Sequence, residues 1–513
     1  MGTTRSNLRA ILVAAACAGV SACTVGPDFV RPETKSPPVW QDLRTGNQSD
    51  SRAVEPGSKP VSAPIEAQWW RQFNDPELNS LEARVAGNLD IQTAMARLVA
   101  SRARRSQAVG ARWPTASAEA AYIRQRTSQE GNTRHTIEVI RPPGDLDDIV
   151  HRLGEPYDLY QPGFDVSWEL DLWGAERRTV ESANAAVAQS TAGLLDVQLT
   201  IRAELARDYL QWCDIQRQLE IAREDVAASE QMLQLIDRRA EGGLVTDFEV
   251  ASQRARLAEG RASVVQLNER RKEALNSLAL ILGDMPGALE KDLDGVRAIP
   301  TVPSTVPVGI SSEVARRRPD IRAAEARLHA ATAEIGIAVA DLYPHIVLTG
   351  SFGTQALRAA DVTDWAARQW SLGPSLSLPL FDGGRRRATV ELRKAEQQEA
   401  AVSYQRTVLR AWHEIDDALS GYAAEQLRNA ELAESVRSSR AALEVANTRY
   451  EHGLTNFLSA LDAQRTLLQA QREYADSSTT IATRLVALDK ALGGGWDKDN
   501  QPDGRPMGPP GPH

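Results

Sequence analysis

Two hydrophobic patterns alternate along the chain. In "GFDVSWELDLW", residues 163–173, Phe164, Val166, Trp168, Leu170 and Leu172 fall on one face, and Asp165, Ser167, Glu169 and Asp171 fall on the other. That period of two predicts a strand with one wet side. The pattern returns over 345–355, where Ile346, Leu348 and Phe352 oppose His345, Thr349 and Ser351. It returns again over 370–381, where Trp370, Leu372, Leu376, Leu378 and Leu380 oppose Ser371, Ser375 and Ser377. A fourth strand is expected over 115–125, because Pro114 disfavours helix at Trp113 and ends a first helix over 77–112. The other pattern is helical. From Gly174 to about 240 there is no Pro and little Gly, and Leu205, Trp212, Leu219, Val226 and Leu233 recur every seventh residue. At 1.5 Å per residue that is a rod of roughly 100 Å. After Gly242-Gly243 a helix over 247–282 keeps the step with Val250, Leu257, Val264 and Leu278. A second long helix over 384–450 turns at Gly453 into one over 456–492, with Leu467, Tyr474, Ile481 and Leu488 in step.

The chain contains the same large unit twice. Residues 88–122 align with 318–352 at a shift of 230, pairing Asp90 with Asp320, Ile91 with Ile321 and Pro114 with Pro344. Further on the shift is 210, pairing Gly174 with Gly384, Gly243-Leu244 with Gly453-Leu454 and Leu282-Gly283 with Leu492-Gly493. Pro and Gly landmarks kept in one order separate a true repeat from chance similarity between Ala-rich helices. Each copy reads helix, strand, strand, long helix, helix. The expected organisation is a first repeat over 66–290, a linker over 291–306 and a second repeat over 307–493.

Strands of about ten residues, oily on one face and polar on the other, have the length and signature of membrane-barrel strands. A sheet lying over a soluble core is the alternative, but the accompanying helices offer no apolar face broad enough to cover it. Four strands cannot close a membrane barrel, and open edges are not tolerated in lipid. Two chains would give eight strands and little lumen, whereas three would give twelve and a channel. The fold class expected is therefore mainly α with a small transmembrane β-barrel portion whose twelve strands come from three chains. Trp113-Pro114, Trp173-Gly174, Tyr343-Pro344 and Phe381 with Gly383-Gly384 mark the four joints between strand and helix. Aromatics at such joints suit a membrane interface.

Composition agrees. Aromatics make up 5% of the 513 residues and charged residues 25%, a mixture that suits long helices better than a thick core. A net charge of −9 argues against a nucleic-acid partner. At the N-terminus, Arg5 and Arg9 precede an apolar run from Ala10 to Val20, followed by "VSAC" at 20–23. This is a leader too short to span a bilayer, with small residues before a Cys. Cleavage after residue 22 would leave Cys23 to carry a diacylglycerol thioether and an N-acyl chain, enough for stable anchoring. Cys17 leaves with the leader, and Cys213 then has no disulfide partner and reads as a buried thiol. Residues 23–65 are expected to extend from that anchor over the surface. The Gly/Pro-rich tail 494–513 reads as disordered, and the polar stretch 126–162 as an external loop.

With these residues in view, the chain resembles the outer membrane factor lipoproteins (TolC-like, of the OprM and NodT branch), the exit ducts of tripartite efflux pumps in Gram-negative bacteria. The resemblance rests on "CTVGPDFVRP" (23–32), "QWWRQFNDPELNSL" (68–81), "RPDIRAAEARL" (318–328), "PLFDGG" (379–384) and "RYEHGLTNFLSALDAQRTL" (449–467). It implies a homotrimer with a 12-stranded barrel in the outer membrane and a long α-helical barrel in the periplasm, a periplasmic adaptor (membrane fusion protein) and an inner-membrane pump of the resistance-nodulation-division (RND) type. It also implies a periplasmic gate at Tyr450, Asp462 and Arg465, opened by an iris-like movement of helices. Threefold symmetry would turn Asp462 into a ring of three carboxylates, although the spacing alone favours an ordinary i,i+3 ion pair with Arg465. The tips Gly243, Leu244 and Thr246, and Gly453, Leu454 and Thr455, match the turns that meet the adaptor.

No catalytic reading competes. The seven His residues show no metal-ligand spacing, and there is no phosphate loop or nucleophile elbow, so neither an enzyme, a metal site nor a cofactor beyond the Cys23 lipid is expected. Within transport, a duct for type I protein secretion is the alternative to efflux.

Overall fold

The computed structural model describes residues 24–33, 58–61, 63, 65–131, 134–136, 139, 146–295, 297–309 and 317–495. In chain order the first elements are β1 (Lys59–Val61), α1 (Pro76–Arg84), α2 (Leu89–Ala111), β2 (Thr115–Gln125), α3 (Leu146–Leu153), β3 (Tyr157–Glu169), α4 (Ala175–Glu241) and α5 (Asp247–Leu282). The second half adds β4 (Thr305–Pro307), α6 (Pro319–Ala340), β5 (His345–Thr354), β6 (Arg368–Ser377), α7 (Arg385–Glu451) and α8 (Phe457–Ala491). The leader, Cys23 and most of the tail 494–513 lie outside the described residues. Two compact units result, one of Met1–Val30, Arg102–Ala186 and Leu328–Glu399, the other of Arg31–Ser101, Val187–Arg327 and Ala400–His513.

The first unit contains an antiparallel sheet in the order β2-β3-β5-β6. Its register puts Phe164 opposite both Ala118 and Phe352, Trp168 opposite Leu348, Phe352 opposite Trp370, and Ile346 opposite Leu376. Since directly paired residues share a face, Phe164, Val166, Trp168, Ile346, Leu348, Phe352, Trp370, Leu372 and Leu376 land on one side, with Val347 the exception on the other. Thr115, Ser117, Glu119, Asp165, Ser167, Thr349, Ser351, Ser371 and Ser375 land on the other. Among the described residues nothing covers the apolar side: Trp370 is 74% exposed and Leu376 68%.

Two strand limits differ from those the alternation predicts. β3 covers Tyr157–Glu169 rather than 163–173. At its end Leu172 N donates to Leu170 O at 2.8 Å, and Asp171 turns away to cap a helix. At its start, Tyr157–Pro162 pair with Gln125–Ala120 although the stretch lacks clean alternation. β6 covers Arg368–Ser377 rather than 370–381. Pro379 has no N–H to donate, which suits a strand end. The external stretch 126–162 is also shorter than expected, since α3 and the first turns of β3 occupy part of it.

The second unit is packed helices with one small sheet. Trp69, Trp70, Phe73, Leu78, Leu98, Tyr209, Trp212, Leu278, Leu485 and Leu488 form its main core. The first helix is interrupted rather than continuous over 77–112. Asn88 separates α1 and its trailing 3-10 turn from α2, accepting from Asp90 N at 2.8 Å and Ile91 N at 3.1 Å, as a helix cap does. Sequence pattern missed β1 and β4, which pair in parallel as Lys59↔Thr305 to Val61↔Pro307. Three-residue strands containing Pro have no alternation to detect.

Glu82 and Asp489 are the most deeply buried acids among the described residues of this unit. Glu82 on α1 has neither carboxylate oxygen hydrogen-bonded, and Arg202 approaches only to 4.0 Å. Burial pushes Glu82 up to about 8 against the opposing pull of Arg202. Asp489 on α8 accepts from Gln72 Nε2 at 2.5 Å, and burial pushes it up to about 7. Both folded values lie above the unfolded ones, so the stability they contribute is complete below the unfolded range near pH 4. It is lost as pH rises through 7 to 8. The melting temperature of the purified protein should therefore fall between about pH 4 and pH 8, and Asp489→Asn should flatten that decline below about pH 7. A variant with the slope of the parent in a circular-dichroism melt would contradict the assignment to Asp489.

Candidate gate and docking tips

The two helical hairpins end in the same turn. Gly243 N donates to Ala240 O at 2.9 Å and Leu244 N to Arg239 O at 2.9 Å. In the second copy Gly453 N donates to Tyr450 O at 3.0 Å and Leu454 N to Arg449 O at 2.8 Å. This pair of bonds is a Schellman stop, and it needs a left-handed residue at its centre. Gly243 has φ 67° and Gly453 φ 71°. The residues after each glycine, Leu244 and Leu454, are 78% and 68% exposed. The next helix is capped in both copies: Glu249 accepts from Thr246 N at 2.8 Å, and Asn456 accepts from Ser459 N at 3.0 Å. At the shift of 210 the counterpart of Thr246 is thus Asn456, while half-buried Thr455 occupies the place of Val245. The same shift pairs Phe248 with Leu458, two more exposed apolar side chains that sequence pattern overlooked.

Tyr450 is buried. It packs with Ile236, Phe457, Ala460 and Leu461 in a small core behind the tips, its ring centroid 6.1 Å from that of Phe457. Arg239 at the end of α4 lies over its ring at 4.8 Å and donates to Tyr450 O at 3.2 Å and Glu451 O at 2.7 Å. A guanidinium is well placed there, since the last carbonyls of a helix have no partners within it and carry the negative end of its dipole. Burial raises the Tyr450 phenol above its ordinary range. Sequence reasoning missed Arg239, which has no local signal because its partners lie some 210 residues away.

Asp462 and Arg465 stand apart from that core, both exposed on α8, and among the described residues neither forms an ion pair. The ordinary i,i+3 salt bridge is thus not formed. The opposite side of the same turn is tied down: Gln464 donates to Asp225 Oδ1 at 3.0 Å and Ser229 Oγ at 3.1 Å on α4. Asp225 in turn holds buried Arg256 at 2.7 Å. One face of α8 is fixed by buried polar contacts while the other presents unpaired charges to solvent.

Of the joint residues, the structure brings one group together. Trp173 stacks on Tyr343 with centroids 4.7 Å apart, and its Nε1 donates to Pro344 O at 2.8 Å. Gly174, at φ 85°, leads into α4, whose first N–H groups (Glu176 and Arg177) donate to Asp171 at 3.1 and 3.0 Å. At the second long helix Gly383 and Gly384 have φ 65° and 86°, and Asp382 accepts from Gly384 N and Arg386 N. Trp113 and Phe381 are exposed. Cys213 is free and buried, with its thiol pushed up to about 12 by that burial, an inert environment. Among the described residues no group of His, Cys, Asp or Glu is arranged to hold a metal ion, and no helix is long and apolar enough to cross a membrane.

Residues 81–284 and 310–494 match the model of the family described as outer membrane efflux protein. The chain is 32% identical to outer membrane protein OprJ of Pseudomonas aeruginosa, over 93% of this chain and 94% of that one. It is 30% identical to the pyoverdine export outer membrane protein OpmQ of the same species, over 96% and 98%. The solved structure of the outer-membrane channel OprN superposes with a TM-score of 0.81 at 35% identity, covering 92% of this chain and 100% of that one.

The clasp at the tips makes a prediction. Arg239→Ala removes two charge-assisted hydrogen bonds, together worth about 1.5 to 3 kcal/mol. The amides of Gly453 and Leu454 should then exchange with solvent roughly ten- to a hundredfold faster. Unchanged exchange at those two amides would mean that Arg239 does not hold the turn.

Proposed function

The chain belongs to the outer membrane efflux protein family and is an outer-membrane efflux channel, and we propose that it works as a homotrimer, the exit duct of a tripartite pump. In this reading three sheets join edge to edge into one 12-stranded barrel, and the helical hairpins form the periplasmic tunnel. A periplasmic adaptor and an inner-membrane pump of the RND type supply the cargo, and acylated Cys23 tethers the chain to the outer membrane.

One observation carries this proposal. The sheet has a bare apolar face, a polar opposite face, and two edges, β2 and β6, each paired on one side only. In lipid an unpaired edge costs several kcal/mol for each unsatisfied group, so the edges must meet those of other copies. Closing the sheet on itself with four strands is impossible at barrel geometry, and twelve strands leave an aqueous lumen lined by the Ser, Thr and acidic face.

For the periplasmic end we assign gating to Asp462 and Arg465, whose charges face solvent unpaired on α8. Tyr450 has a supporting role in the core behind them. A threefold ring of Asp462 carboxylates would narrow and polarise the passage. Leu244 with Phe248, and Leu454 with Leu458, are the apolar contacts offered to the adaptor. The family resemblance and the exposure of these side chains support both assignments.

Purified from outer membranes, the protein should run as heat-sensitive trimers and pass current in planar bilayers. Asp462→Ala with Arg465→Ala should raise single-channel conductance. A monomer that passes no current would sink the channel reading, whereas a conducting trimer indifferent to the double substitution would remove only the gate assignment. Cysteines at Leu244 or Leu454 should crosslink to the adaptor in intact cells, and their failure to do so would count against the tips as docking sites.

A further inference from the structure

Glu82 opens onto a cavity of about 330 Å³ in the second unit, within the size range of small-molecule sites. Its place on α1 explains the burial: it shares the inward side with Leu78 and Leu81, and its side chain is 1% exposed. Four polar atoms of the lining lack a hydrogen-bond partner among the described residues: Asn79 Oδ1, both oxygens of Glu82, and Arg202 Nε. Buried polar groups are seldom left so. Arg202, on α4, is engaged elsewhere. Its guanidinium lies over the Trp70 ring at 4.7 Å, and Nη1 donates to Gly495 O at 3.2 Å. Those contacts keep Nε 4.0 Å from Glu82, too far for a hydrogen bond. Arg71, from the 3-10 turn Trp69–Phe73, lines the same cavity and adds a second positive charge. Val85, Ile91 and Met95 supply an apolar side.

Charge decides what such a cavity can hold. With Glu82 ionised, it and Arg202 cancel, and an entering cation would meet Arg71 as well. With Glu82 protonated, two guanidiniums stand uncompensated beside an O–H that can donate, which suits an anion. Burial favours the second state, pushing Glu82 up to about 8 against the pull of Arg202. The charged side chains that line the cavity with Glu82 are Arg71 and Arg202, while α2 adds Ile91 and Met95 and α4 also adds the uncharged Gln198. We propose that this cavity is a binding site for a small monocarboxylate with an apolar tail, its carboxylate held between Arg202 Nε–H and the O–H of Glu82, and its tail against Val85, Ile91 and Met95. Both bonds are charge-assisted, and the Glu82 proton stays within the carboxyl–carboxylate pair. Because Arg202 also holds Gly495 O, an occupant would tie α1 to the stretch that follows α8. The site stands apart from the barrel, the gate and the tips, and does not rest on the trimer.

The test is calorimetry on the purified full-length protein, with hexanoate as probe and hexylammonium and hexanol as controls of equal tail. Hexanoate alone should bind, and about tenfold more weakly at pH 9 than at pH 6, since Glu82 ionises as pH rises through 8. Glu82→Gln keeps a neutral donor, so that chain should bind hexanoate without the pH dependence. Ala83→Phe, at an exposed position of the lining, should fill the cavity and abolish binding while the circular-dichroism spectrum stays that of the parent. N-acetylleucine in place of hexanoate tells a peptide end from a free acid, and binding of either supports the site. Tighter binding of hexylammonium would overturn the carboxylate assignment. So would undiminished binding to the Ala83→Phe chain, or a pH dependence that survives Glu82→Gln. Heat from none of the probes would overturn it too, and would mean that the cavity holds water only.

Discussion

The fold is governed by a hydrogen-bonding debt that one chain cannot settle. Four strands, ladder-paired to one another, leave the outer rows of N–H and C=O groups on β2 and β6 without partners. In water such edges are a liability; in hydrocarbon they are prohibitive. The apolar side chains that point outward from the sheet belong in hydrocarbon, and only other copies of the same sheet can satisfy the edges there. In the proposed trimer, oligomerisation is thus what lets the strands exist in lipid.

That condition places strong demands on the joints, where oily strand gives way to polar helix within a few residues. The chain meets them with short-range chemistry. Asp171 and Asp382 each accept from the first N–H groups of the long helix that follows, satisfying donors that have no partner inside it. Glycines at positive φ set the change of direction at both places. Around the first joint, Trp173 ties the strand end to the residues before β5 through the Tyr343 stack and the bond to Pro344 O, so strands from both copies of the repeat are fixed relative to one another where they leave the sheet.

Much of this was legible from sequence because the relevant signals are periodic. Alternation at Phe164, Val166 and Trp168 identified the membrane face, and heptads from Leu205 to Leu233 identified the coiled helix. What failed was whatever lacked a period or depended on a distant partner. Leu170 and Leu172 continue the alternation after the strand has ended, so pattern overran the limit that Asp171 sets by capping α4. The Ala-rich β2 was located by Pro114 rather than by its own side chains. The β1–β4 ladder is too short to show alternation, and Arg239 could not be found at all, since nothing near it in sequence announces Tyr450 and Glu451. The break at Asn88 has only the brief local signal Gly87-Asn88, set within helical composition on either side.

The repeat itself separates what both hairpins must do from what only one does. At the shift of 210 the two tips agree in the Gly-Leu turn, in having the next helix capped and in an exposed apolar side chain one turn later. The agreement ends immediately beyond. Tyr450 stands where the first copy has Ala240, Phe457 where it has Asp247, Asp462 where it has Ser252, and Arg465 where it has Ala255. A task shared by both copies, such as presenting equivalent tips to a partner, would keep the first set of features and leave the second unconstrained. A task confined to one copy would concentrate its chemistry there. In a trimer the second arrangement gives three carboxylates around the axis instead of six. In the proposed gate, a ring of three repels itself less than a ring of six would.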